Sequence, residues 1–426
     1  EEGRSPGQAP EHRVTRKRPG GMPSRHTRPG VAAFSCPRLA LAALTLGGLL
    51  LASAPADAAT LRVGPGEPIA RIADAAKRAK DGDVVEILAG EYRGDVAVWK
   101  QKRLTIRGVG GRPVLIAEGK SAEDKAIWVI RNGDFVVDNI EFRGARVPDG
   151  NGAGIRFERG RLNVRDSAFH DNQTGILTAN FEDAELRIEG SVFAEAPHQT
   201  HSLPHLLYVG RIARLEVEGS RFHQGQRGHL IKSRARRSEL RYNLIHDGPA
   251  GAASYEIDLP NGGHATIVGN VIGQSSASQN PTMVAFGAEG NAWPDSRLEM
   301  AHNTLLNEGL RPALFLRVWA DRLPAATPVL TRNNLTVGLG AFTTMNAGDH
   351  AGNVALPPGA LGEPAILDFS LAADALLRRR AFPPAPAHLV PQAEFALPVG
   401  TRRLSPPARW VPGAFQSPAA VHAAPS

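Results

Sequence analysis

Apolar and polar positions along this chain alternate in short β-branched runs, and one small polar residue recurs inside those runs. The runs read VRDSAF around Ser167, IEGSVF around Ser191, VEGSRF around Ser220 and LRYNLI around Asn243. They continue as IVGNVI around Asn270, MAHNTL around Asn303 and TRNNLT around Asn334, while VVDNIEF near Asn139 carries the phrase shifted by one. Subtracting the numbers from Ser167 onward gives intervals of 24, 29, 23, 27, 33 and 31 residues. A period of roughly 20–50 residues marks a stacked-repeat architecture. The units hold no amphipathic helical stretch, so helical and leucine-rich repeats fit badly. Each has room for short strands cut by Gly, Asn, Asp and Pro.

Strands stacked in parallel bring like residues above one another at about 4.8 Å. The pattern therefore predicts an all-β fold, a right-handed parallel β-helix. Asn243, Asn270, Asn303 and Asn334 would form an interior amide ladder, and Phe169, Phe193 and Phe222 an aromatic column. A β-sandwich is the competing fold, but its strands have no reason to share one polar position. Ahead of the repeats, Ile69, Ile72, Ala73, Ala76 and Ala79 fall at helical spacing. A helix there would close the open apolar end of the stack. The order of that helix, GDVVEILAGEY and LTIRG resembles the start of parallel β-helix proteins of the pectate-lyase-like superfamily, over roughly residues 61–342. The resemblance implies a fold and little about function.

The flanks read differently. Residues 1–21 are expected to be an upstream extension foreign to the native protein, and 22–58 an export signal. The signal has Arg25, Arg28 and Arg38 before the apolar stretch 39–54, and Ala56-Asp57-Ala58 as a cleavage site. No later stretch is long and apolar enough for a membrane span. The expected location is periplasmic or secreted. The β-helix is expected over 59–345. Residues 346–426 are Pro-rich and are expected to pack along it, anchored by Asp368–Leu371 and Pro412–Phe415, with a disordered end from 416. The single cysteine, Cys36, lies before the apolar stretch, which leaves no disulfide or thiolate site in the mature chain. A monomer is expected.

The formal charge is +7. Residues 1–58 contribute 8 Lys+Arg and 4 acids, hence +4, so about +3 remains for the rest. That balance argues against nucleic acid as the main partner. Basic residues do cluster locally: Arg211, Arg214, Arg221, Arg227, Lys232, Arg234, Arg236, Arg237 and Arg241. Outside the cytoplasm an acidic polysaccharide is the anion that such a cluster would meet.

Aligning HLLYVG (205–210), HLIKSR (229–234), YEIDLP (255–260) and TMVAFG (282–287) as one strand of successive coils suggests where chemistry sits. Strict alternation puts Leu207, Ile231, Ile257 and Val284 inside with Val209, Ser233, Leu259 and Phe286. It puts Leu206, Leu230, Glu256 and Met283 in one outer row, and Tyr208, Lys232, Asp258 and Ala285 in the next. Arg234 lies two positions beyond Lys232. His229 falls in the inward set and reads as a strand-end residue.

Two enzymatic chemistries fit this strip. In β-elimination on a uronate, Lys232 would take the C5 proton, Tyr208 would protonate the leaving oxygen, and Arg234 would clamp the carboxylate. GHLIKSRARRSELRYNLIHDG (228–248) resembles the lysine-bearing coil of polysaccharide lyase family 6, which implies Lys232 as base. The next coil reads Tyr255-Glu256-Ile257-Asp258 where that family has an Arg-His pair. A carboxylate beside Lys232 would raise its pKa, unless Glu256 and Asp258, with Asn261 or Asn280, bind Ca²⁺. In hydrolysis, Glu256 and Asp258 would work as the paired carboxyl groups of an inverting glycosidase. A 5-epimerase would share the proton abstraction. From another class, the protein would be a non-catalytic glycan-binding component of the cell envelope, with Trp293 and Trp319 as stacking residues. HQTHSLPH brings His198, His201 and His205 to zinc-like spacing, although Pro204 argues for a loop.

Overall fold

The computed structural model describes residues 58–417 apart from 200, 201, 279 and 346. The expected extension, the export signal, Cys36 and the chain end from 418 lie outside the described residues.

Three parallel sheets of 12, 10 and 11 strands run the length of the stack, each strand paired with its counterpart one coil away. Strand Glu185–Glu189, for example, pairs in parallel with Arg161–Arg165 on one side and Arg214–Glu218 on the other. An antiparallel sandwich is thereby excluded. Between the first strand of a coil, in the 12-stranded sheet, and the second, in the 11-stranded sheet, the chain turns through one residue with positive φ. Asp166, Tyr242, His302 and Asn333 take that position with φ of 43–54°, and Gly190, Gly219 and Gly269 take it elsewhere. The polar residue of the repeated phrase follows and points inward. Its side chain satisfies the backbone of the coil before: Asn243 N–H donates to Asn270 Oδ1 (2.9 Å), Asn270 N–H to Asn303 Oδ1 (3.0 Å) and Asn303 N–H to Asn334 Oδ1 (3.0 Å). The serines do the same with one oxygen, Ser167 N–H donating to Ser191 Oγ and Ser191 N–H to Ser220 Oγ. The phrase is thus the chemistry of a corner. In the shifted copy Asn139 takes the positive-φ position and Ile140 the inward one.

Beside the ladder, Phe142, Phe169, Phe193 and Phe222 stack face to face with centroids 4.6–5.1 Å apart. Each such contact adds about 0.5–1.5 kcal/mol to the burial of the ring. The helix Ile72–Arg78 lies at the start of the stack, and Ile72, Ala75 and Ala76 are buried. Ala75, rather than the expected Ala73, completes its apolar face. Its first N–H groups are held by Asp95, whose carboxylate accepts from Ile72 (2.6 Å) and Ala73 (3.0 Å). At the far end the repeat runs one coil beyond the expected boundary at 345. Strands Asp349–Ala351 and Val354–Leu356 join two of the sheets, and Asn353 extends the ladder by accepting from Asn334. Residues 357–417 lie over the 11-stranded sheet and, through Leu389 and Ala393, over Val268 and Ala301 of the 12-stranded sheet. Leu361, Phe369, Leu371, Phe395, Ala414 and Phe415 bury against Leu244, Val271, Leu306 and Leu335 of the 11-stranded sheet. Among the described residues no helix is long and apolar enough to cross a membrane.

Candidate functional site

Three successive strands of the 10-stranded sheet build the strip. Tyr208 pairs with Lys232, and Lys232 with Asp258. The three side chains share one outer row on the sheet that the C-terminal segment leaves uncovered. Lys232 Nζ lies 3.1 Å from Asp258 Oδ2 and 5.8 Å from the centre of the Tyr208 ring. Arg234 joins them from the end of its strand, its Nε–H donating to Tyr208 Oη (3.3 Å) and one terminal nitrogen donating to Asn261 Oδ1 (2.7 Å).

Glu256 departs from expectation. Its side chain is wholly buried, and neither carboxyl oxygen has a hydrogen-bond partner. The cause is a break in strand alternation one residue before the inward row. Leu206 and Leu207 both donate to the same neighbouring strand, and so do Leu230 and Ile231. In a regular parallel strand only every second N–H does so. The side chain between the two breaks therefore turns inward. A Cβ built on Gly175, in the same row, would lie 2.6 Å from Phe193 of the aromatic column. Leu206, Leu230 and Met283 of that row belong to the main core. Glu256 and Asp258 thus lie on opposite sides of their strand, which removes the carboxyl pair that hydrolysis requires and the pair proposed for calcium. Asn261 is engaged by Arg234, and Asn280 Oδ1 accepts from Thr282 N–H at its own strand end (3.1 Å). Among the described residues no group of three His, Cys, Asp or Glu side chains has metal-site geometry. Of the three histidines in HQTHSLPH, His198 is exposed, His205 is buried, and His201 lies outside the described residues.

The same break turns His229 outward, against expectation. His205, His229 and Tyr255 stack with centroids 4.8 and 4.7 Å apart. Each imidazole accepts the next backbone N–H at Nδ1, from His229 to His205 (2.9 Å) and from Tyr255 to His229 (3.2 Å). Both rings are therefore neutral, with the proton on Nε2. Burial holds them so, pushing His205 down to about 3 and His229 well below its usual value. His229 Nε2 then faces Asp258 Oδ2 at 3.4 Å. Asp258 is 2 % exposed, and its other oxygen has no partner. Burial raises its pKa to about 6, against the pull of Lys232. Burial would lower the pKa of Lys232, but the carboxylates of Asp258 and Glu289 outweigh it and hold the ammonium protonated.

Glu289 was not legible as a site residue. It comes from the segment 287–296, which follows strand Thr282–Phe286 and folds back over the strip. Its Oε1 accepts from Lys232 Nζ (2.7 Å), and its Oε2 lies 2.7 Å from a terminal nitrogen of Arg234. Trp293 fastens the segment: its Nε1–H donates to the Arg234 carbonyl (3.0 Å), and the Arg211 guanidinium covers its ring at 3.8 Å. Trp293 therefore packs rather than offering a stacking face. Trp319 carries Arg317 over its ring at 4.4 Å. The basic cluster of the sequence is split by the fold. Arg211, Arg234 and Arg236 gather around the segment, whereas Arg214, Arg237 and Arg241 belong to the 12-stranded sheet. That sheet carries a groove of about 520 Å³ lined by Arg103, Asp134, Arg161 and Arg187. Its charges are spent on one another, Arg161 with Asp134 (2.9 Å) and Arg187 with Glu189 and Glu216. The strip differs in that Lys232 and Arg234 converge on a single point.

The chain has the parallel β-helix fold of pectate lyases. It superposes on the crystal structure of pectate lyase Pel9A with a TM-score of 0.62, over 84% of this chain and 97% of that one, at 13% identity. At that identity the likeness establishes the fold alone. No protein-family model and no curated protein sequence matches the chain.

Proposed function

We propose that the protein acts on an acidic polysaccharide by β-elimination, at the strip Tyr208, Lys232, Arg234 and Asp258. The observation that carries this reading is the carboxylate held jointly by Lys232 and Arg234, with 2.7 Å contacts to both. Two converging cations that grip one carboxylate are suited to grip a uronate. They would also stabilise the enolate-like charge that forms when its C5 proton leaves. Tyr208, beside Arg234, is the phenol placed to protonate the leaving oxygen. Lys232 is the base of this proposal: its ammonium first gives a proton to solvent, which leaves Arg234 as the cation on the uronate carboxylate, and the amine then takes the C5 proton. Asp258 fixes the ammonium, and His229 fixes Asp258. The pectate lyase with the same fold supports the substrate class, and the Lys232-Ser233 likeness to polysaccharide lyase family 6 supports the chemistry. Hydrolysis loses its support with Glu256 inside the coil. A binding protein without turnover has one observation in its favour, the proton that Asp258 and Glu289 hold on Lys232.

The test is incubation with polygalacturonate, alginate and a neutral β-glucan, following absorbance at 235 nm, where the unsaturated product absorbs. The expected result is a rise on a polyuronate only, reduced about 10²–10⁴-fold in Lys232→Ala and Tyr208→Phe. Polyuronate binding without any absorbance rise would establish the binding-only alternative. Retention of full activity in Lys232→Ala would remove the strip as the site.

A further inference from the structure

Glu289 occupies the place that the proposed substrate carboxylate needs. Its two oxygens take the two cations that would grip a uronate, and one anion excludes the other. Its exposure differs from that of its partners: the side chain is 44% exposed, against 10% for Lys232 and 19% for Arg234. The cations are set into the wall of the strip, and the carboxylate sits on top of them. The backbone around it is fastened: the Glu289 N–H donates to the Pro260 carbonyl (3.0 Å), the Ala288 carbonyl accepts from Arg322, and the Gly290 carbonyl accepts from Asn261 Nδ2 (2.6 Å). Gly287 and Gly290 flank the residue with φ of 85° and 67°, a region that glycine enters without strain. Further along, Trp293 and the Arg236–Asp295 pair (3.0 Å) add to this anchoring. The backbone can therefore stay in place while the half-exposed Glu289 side chain swings off the cations about its own torsions.

We infer that Glu289 is a specificity gate, an internal carboxylate that holds the Lys232–Arg234 clamp until a uronate carboxylate replaces it. The inference rests on the acidic-polysaccharide reading and adds to it a residue that decides which ligands enter. Exchange of one carboxylate for another keeps the number of charge-assisted hydrogen bonds to the two cations. A neutral sugar that displaced Glu289 would leave both cations without an anion, and its hydroxyl groups would not repay that loss. Glu289 thereby lowers affinity for all ligands by occupying the competent site, and lowers it most for neutral ones.

The experiment compares wild type with Glu289→Gln and Glu289→Ala on polygalacturonate and alginate, measuring Kd by calorimetry and KM and kcat by absorbance. A neutral β-glucan serves as control, and thermal melting checks the fold. In both variants the expected result is a Kd and KM for the polyuronate about tenfold lower, with kcat within about threefold. Binding of the neutral glucan, undetectable in wild type, is expected to become measurable. The acidic limb of the kcat/KM profile, which reports the free enzyme, should move to lower pH, because Glu289 no longer helps to hold Lys232 protonated. If wild type binds or cleaves a polyuronate and the variants show unchanged or raised KM, the gate is wrong and the substrate reading stands. If neither wild type nor a folded variant binds any polyuronate, the substrate reading fails and the gate falls with it.

Discussion

Two carboxyl groups two residues apart, Glu256 and Asp258, have opposite environments and so make opposite predictions. Glu256 sits in the core row between Leu230 and Met283, fully buried and without a hydrogen-bond partner. Burial, with Asp247 nearby, raises its pKa well above the usual carboxyl range. An acid whose folded pKa is raised binds more protons folded than unfolded at pH above its ordinary value, so it destabilises the fold there. Glu256→Met should therefore stabilise the protein at pH 7 by about 1–3 kcal/mol, the cost of an unsatisfied buried polar group. The gain should shrink as pH falls from 7 towards 4.5 and change little below that, where the unfolded chain is protonated too. Melting temperatures of both proteins at pH 4 and pH 7 check this; equal shifts at both would mean that charge plays no part. Asp258 faces Lys232, His229 and Glu289, and its pKa of about 6 places its titration in an accessible range. As pH falls through 6 it becomes neutral and Lys232 loses a counter-charge, while uronates stay ionised. Polyuronate binding should strengthen between pH 7 and pH 5, by about fivefold for roughly 1 kcal/mol of relieved competition. Asp258→Asn should bind tightly at both pH values; a variant that retained the full pH dependence would exclude Asp258 as its source.

The corner between strands is the element that the sequence declared most openly. From Ser167 onward each ladder residue satisfies a buried backbone N–H of the coil before it, so a small polar residue recurs there visibly. Asn270 makes the dependence measurable. Its Oδ1 accepts from the Asn243 backbone and side chain, and its Nδ2 donates to Leu240 and Val268 carbonyls and to Asn303 Oδ1. Asn270→Ala would orphan several buried groups at about 1–3 kcal/mol each, whereas Asn270→Ser keeps the acceptor that earlier coils supply through Ser167, Ser191 and Ser220. Ser should cost clearly less than Ala in thermal melts; equal losses would mean that the backbone acceptor is not what the position provides. Register was legible for the same reason, and it correctly brought Tyr208, Lys232 and Asp258 together. What failed was alternation at the break after position 205, because paired N–H groups leave no trace in the side-chain pattern. That single event misplaced both Glu256 and His229. Glu289 was hidden by distance: it reaches Lys232 across 57 residues through a segment outside the repeat, and no local spacing encodes such a return.

At the scale of the molecule, the three sheets meet three different fates. The 12-stranded sheet solvates its outer face with Arg–acid pairs, the 10-stranded sheet carries the strip, and the 11-stranded sheet is roofed by the chain beyond Leu356. That roof adds no strand to the stack; its one hairpin, Ala393–Phe395 with Thr401–Arg403, pairs only with itself. It is held by side-chain burial, with Phe369 at 2% exposure among Leu244, Val271 and Leu306, and by isolated backbone bonds, Gly400 N–H donating to the Gly219 carbonyl (2.8 Å) and Gly413 N–H to the Asn333 carbonyl (2.9 Å). Burial with only isolated shared backbone bonds, and no shared strand ladder, predicts a unit that can loosen by itself. Phe369→Ala should remove about 3–5 kcal/mol, a loss that falls on the roof rather than on the ladder and the aromatic column. Limited proteolysis should then cut within 357–417 while the stack stays resistant, and an apolar dye should bind the uncovered leucines. Polyuronate affinity should stay within about twofold, because distant sites without shared partners act independently. A single melting transition shifted as a whole, with no early cleavage in the roof, would show instead that roof and stack fold as one. The strip would then depend on a surface it never touches.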